Sequence, residues 1–199
     1  MTTQLQAAGD PGGHRDRPDG VMPLIGRAGI GLAGSAVLGL LAGLIWGAAA
    51  PRAQLQKVSA GAAEYVNAET RAFIGADAWF CGIAVLAGLL TGVLGYRFLV
   101  ARRAGGDRAA AVLGLVLGAV AGAFVMQWLG DQIGLSTFNH ELATGANGTL
   151  FHASLALGAK SALAFWPLLT SAVLFVAEWG SRRDSAEPVP VSYGGSPAD

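Results

Sequence analysis

His140, Glu141 and His152 are the closest approach to a reactive centre in this chain. Imidazole and carboxylate together can hold a metal ion or move a proton. Their spacing argues against both uses. They do not fall on one helical face, and no HExxH or carboxylate–histidine pattern surrounds them. They read as solvated loop residues, with His140 or His152 placed to respond to pH. Asp77 stands where an apolar run begins. Its carboxylate serves there either as a proton or cation site or as a helix cap that accepts from backbone N–H groups, and the cap is the simpler reading. Lys160 opens the last apolar run, where an ammonium opposes the helix dipole. It needs Asp77 or Asp131 as a partner, or it snorkels to water. Glu178 closes the same run, with Arg182 four residues on to compensate it. Cys81 is the single cysteine, so neither an intrachain disulfide nor a cysteine metal cluster is expected. The glycines lack the GK[ST] ending of a phosphate loop. No catalytic, cofactor-binding or metal residue is assigned, and the chain is not expected to be an enzyme.

The elements that position these residues are apolar. Charged residues make up 13% of the 199, and 53% are hydrophobic. An ordinary soluble domain carries about 25% charged residues. Half that value, with 30 glycines and a mean hydropathy of +0.49, indicates an integral membrane protein. A net charge of zero gives no basic field for nucleic acid. Four runs approach the ~20 residues that a spanning helix needs: 28–50, 78–100, 109–129 and 161–179. The first also resembles a secretory signal, but its 23 residues exceed the ~7–15 of a signal core, and Pro51 follows directly. The expected architecture is all-α, a bundle of four transmembrane helices over residues 27–181. Residues 1–26 and 182–199 read as disordered cytoplasmic tails.

Nine Lys and Arg residues fall in the tails, the 101–108 connection and its margin, against four (Arg52, Lys57, Arg71, Lys160) in the other two connections. The positive-inside rule then puts both termini in the cytoplasm of a cell membrane, with connections 51–77 and 130–160 outside. Trp46, Trp79 and Trp128 near outer helix ends, and Trp179 near an inner end, read as interface residues. Gly39, Gly43 and Gly47 repeat every four residues, as do Gly88 and Gly92, and Gly114, Gly118 and Gly122. Such stripes let helix backbones approach closely. They predict packing within one protomer, or a homo-oligomer built on one stripe. Pro167 predicts a kink in the fourth helix. Thr91, Thr170 and Ser171 are the main polar groups at depth, where hydroxyls usually bond their own helix.

The connection 51–77 is open between an amphipathic helix over 60–72 and strands at 54–59 and 64–67, with a third strand from Arg71 to Ile74. Trp46, Ala50-Pro51-Arg52, Tyr65-Val66, Glu69, Ile74-Gly75-Ala76-Asp77 and Phe80 mark its margins, and Ala164 with Trp166-Pro167-Leu168 the last run. On these residues the chain resembles an actinobacterial family of small four-helix membrane proteins that is classed as a domain of unknown function. The resemblance implies a strand–turn–strand in 51–77, a β-hairpin outside the membrane, and no catalytic residues. This chain has Ala78 where glycine is frequent in that family. The expected role is structural or accessory, with the bilayer as surroundings and the outer loops binding another membrane or envelope protein through Tyr65, Glu69, Arg71, Phe73, Asp77 and Lys160. The alternative is a permease-like subunit of a transport system, although no run has a charge in its central third.

Overall fold

The computed structural model describes residues 21–59, 61–67, 71–101 and 106–184. Glu69, Arg102, Arg103 and the tails at 1–20 and 185–199 lie outside the described residues. The helices are α1 (Val21–Ala49), α2 (Ala72–Gly95), α3 (Gly106–Gln132), the short α4 (Leu135–Thr144) and α5 (Phe165–Asp184). A π-helical turn, Tyr96–Val100, extends α2, and a 3-10 turn, Lys160–Ala164, leads into α5. Four of the segments are long and apolar enough to cross a membrane: Ala28–Ala49, Ala72–Val100, Arg108–Thr144 (which runs on into α4) and Lys160–Arg183.

Three helix boundaries differ from the expectation, one of them at the end of α5, which runs to Asp184 and makes residues 182–184 helical rather than tail. α1 begins at Val21, so residues 21–26 are helical rather than tail. Pro23 sits in its first turn, where a missing N–H costs nothing. α2 begins at Ala72 and takes in most of the expected third strand, Arg71–Ile74. The reason is periodicity: Ala76, Phe80, Ala84 and Ala87 form one buried helical face that starts before Ala78. Pro167 introduces no interior kink. It lies in the first turn of α5, directly after the 3-10 turn.

The helices pack as two glycine-lined parallel pairs. A Cβ on Gly39 would lie 2.5 Å from the Gly122 carbonyl oxygen, and one on Gly43 would lie 2.8 Å from the Met126 oxygen. Gly47 faces Ile133, Gly114 faces Ala28, and Gly118 faces Gly31 and Ser35. Contacts thus step up α1 and α3 together. In the second pair, Gly88 and Gly92 of α2 face Trp166 and Val173 of α5. All eight stripe glycines therefore meet another helix of the same chain. Apolar packing gives little drive between helices in lipid, and close backbone approach is what such stripes supply.

The core between the pairs combines Trp46, Phe80, Met126 and Trp166, all fully buried, with small alanines. Trp46 is thus a core residue and not an interface residue. Its indole N–H donates to the Ala76 carbonyl at 2.9 Å, and its ring meets Phe80 edge-on at 5.1 Å. Trp79, Trp128 and Trp179 are exposed. The buried hydroxyls of Thr91 and Thr170 bond across helices rather than to their own backbone. Thr170 Oγ1 donates to the Gly88 carbonyl, and Trp166 donates to Thr91 Oγ1, both at 3.1 Å.

The hairpin reading of 51–77 holds. β1 (Gln54–Ser59) and β2 (Ala62–Tyr65) pair antiparallel around Gly61, whose φ of +74° suits the tight turn. A bulge between Lys57 and Ser59 shifts the register. The unforeseen element is β3 (Leu150–His152) from the other long connection, which pairs with β1 on its free side. The sheet order is β2-β1-β3. Gly134, at φ +89°, lets the chain turn sharply from α3 into α4. The two connections therefore fold together as one cap on one end of the bundle.

Candidate functional site

The cap is held to the bundle by the residues that end one helix and begin the next. Pro51 stops α1, and its ring lies over Gly75. Arg52 follows, and its Nη2 donates to the carbonyls of Gly47 at 2.7 Å and Ile133 at 3.1 Å. One guanidinium thus closes the C-terminal ends of both α1 and α3, where carbonyls lack partners and the helix dipole is negative. Lys57 does the same for α4. It points inward from β1, is 4% exposed, and its Nζ donates to the Ala143 carbonyl at 3.2 Å. A buried ammonium is costly unless bonded, and a helix C-terminus is a favourable place for it.

Asp77 acts as a cap, though of a different helix from the one expected. It lies one turn inside α2, and its carboxylate oxygens accept from the backbone N–H groups of Gly158 and Ala159, each at 3.0 Å. These amides stand immediately before the 3-10 turn that starts the fourth long segment. Asp77 therefore ties the start of that segment to α2. Asp77→Ala should cost about 1–2 kcal/mol, the usual value for a lost cap. It should also speed amide exchange at Gly158 and Ala159, read by hydrogen–deuterium exchange; unchanged protection there would contradict the role.

The other expected residues divide into two groups. Tyr65 and Phe73 meet edge-on at 5.3 Å, both exposed. Val66 and Ile74, next to them in sequence, are exposed as well, Ile74 at 75%, and so is Arg71, two residues before Phe73. Lys160 is exposed and makes no direct ion pair with Asp77 or Asp131. Asp131 instead accepts from Gln127 at 3.3 Å. At the opposite end of the bundle, Glu178 is bonded mainly by Arg108 from α3, and Arg182 stands farther off at 4.0 Å.

A pocket of about 600 Å³ opens between α4, β3 and the end of α1. It brings together Arg52, Glu141 and His152, with Thr137 and Thr149 and the rings of Phe138 and Phe151. His140 stays outside it, exposed on α4. Glu141 is half-buried at this pocket, whereas His152 stays exposed: it alternates with Phe151, whose ring is the β3 side chain that packs toward α4. In the sequence Arg52 and Lys57 were legible only as positive charges of the 51–77 connection. Among the described residues, no group of three His, Cys, Asp or Glu side chains could hold a metal ion. No protein-family model, curated protein or solved structure matches the chain.

Proposed function

We propose that the chain is a multi-pass membrane protein of structural or accessory role, with the cap outside the membrane and both termini in the cytoplasm. The cap binds another membrane or envelope protein through the Tyr65–Phe73 patch. The observation that carries this reading is the patch itself: exposed aromatic and aliphatic side chains on a folded unit, with exposed Arg71 two residues before Phe73. Exposed apolar clusters of this kind mark interaction sites, and aromatic residues with arginine are the usual anchors of an interface. The membrane reading draws support from the outward-facing Leu41, Ile45, Leu86, Leu117, Phe124 and Val176, which a water-soluble bundle would turn inward. A transport pathway has less support. The buried polar side chains described within the bundle are Ser35, Thr91 and Thr170, with no charge among them.

Two measurements test the reading. Single cysteines at Ser59 and Ser185, in a Cys81→Ala background, should react with an impermeant thiol reagent from opposite sides of the membrane. Reaction from one side only would exclude an even number of spans. A photo-crosslinking residue at Phe73, in native membranes, should give one dominant protein adduct that Arg71→Glu removes. The same adducts from Phe73 and from the bundle-surface position Phe124 would contradict a recognition patch.

A further inference from the structure

The pocket beside α4 carries opposite charges that do not satisfy one another. Arg52 is anchored through Nη2 alone; its Nε is buried out of reach without a partner, which leaves Nη1 as the nitrogen available to a ligand. Glu141 lines the same cavity, half-buried, and makes no ion pair with Arg52. A guanidinium held on two helix ends is fixed in place before anything binds, which lowers the cost of binding. The volume falls within the about 300–1,000 Å³ usual for small-molecule sites.

We propose that this pocket binds a small zwitterion, an α-amino acid or a short peptide with free termini, its carboxylate on Arg52 and its ammonium on Glu141. A simple anion would meet repulsion from Glu141, and a simple cation from Arg52. A molecule with both charges is matched at each end. Thr137 and Thr149 offer further hydrogen bonds, and Phe138 and Phe151 offer an apolar wall for a small side chain. The two rings stand 5.8 Å apart and are tilted by 48°, so the wall is continuous between α4 and β3. The site is separate from the Tyr65–Phe73 patch and does not depend on it.

The test uses the full chain in detergent micelles and titration calorimetry with tri-alanine. Tri-alanine should bind, and its N-acetylated and C-amidated forms should each bind about tenfold more weakly, the loss expected for one bond to a charged group. Glu141→Gln should weaken tri-alanine about tenfold while leaving the N-acetylated form unchanged, because the lost partner is the same. Thr137→Trp, which fills the cavity without touching the Arg52 anchor, should abolish binding while the protein stays folded by circular dichroism. No binding of tri-alanine or of free alanine up to about 10 mM, far above a millimolar Kd, would overturn the proposal. Equal affinity for the free and capped peptides would also overturn it.

Discussion

Gly39→Leu is expected to destabilise the protein by at least about 3 kcal/mol, at or beyond the upper end of ordinary overpacking. A Cβ at this position would lie 2.5 Å from the Gly122 carbonyl oxygen and 3.1 Å from its Cα. Both are backbone atoms of a neighbouring helix, so no side chain can swing aside. The two helices must separate, and every contact along the α1–α3 seam loosens with them. Gly34 provides the control. It belongs to the same helix, but a Cβ there meets nothing within 4 Å. Gly34→Leu should leave stability within about 0.5 kcal/mol, as for substitutions that touch nothing. Unfolding in mixed micelles with a rising fraction of denaturing detergent measures both. Equal effects at the two positions would show that the close seam is not what holds α1 to α3.

Trp46→Ala should cost about 3 kcal/mol. Deleting a buried tryptophan usually costs about 3–5 kcal/mol, and the low end follows from the proposed membrane setting, in which lipid would also shelter the indole in the unfolded state. The lost terms are local and visible. The ring fills the space left by Gly130, where a Cβ would collide with it, and it packs edge-on against Phe80. Its N–H bonds to Ala76 at the start of α2. Trp46→Phe keeps most of the packing but loses the donor. It should fall between wild type and alanine, near 1–2 kcal/mol, a hydrogen bond plus a small cavity. A Trp46→Ala protein as stable as wild type would place the indole at the surface instead.

Much of this architecture was legible because its causes are local. Four apolar runs, the four-residue glycine repeats and the turn at Gly61 each follow from neighbours in sequence. The residues of 51–77 left helix and strands open, and the hairpin was expected only from the family resemblance. What escaped depends on residues far apart along the chain. β3 is three residues long and has no pattern of its own, and it becomes a strand only because β1 presents an open edge. Arg108 and Glu178 meet because α3 starts where α5 ends. Asp77 was legible as a cap, but its partners Gly158 and Ala159 were not. Trp46 misled because a tryptophan near a helix end suits both an interface and a core. The difference lies in Gly130, which leaves the space for the ring.

One feature joins the two halves of the chain outside the bundle: the two long connections form a single sheet and therefore a single cap. Gln56 and Leu150 are directly opposite on β1 and β3, and both are exposed. The bonds from Lys57 N to Thr149 O and from Ala153 N to Ala53 O make Gln56 and Leu150 a non-hydrogen-bonded pair. Such pairs bring Cα atoms to about 4.5 Å, within the reach of a disulfide at about 4.4–6.8 Å. In a Cys81→Ala background, cysteines at 56 and 150 should crosslink under mild oxidation, within one chain, and the intact mass should fall by two hydrogens. Free thiols at both positions after oxidation of the folded protein would contradict the cap.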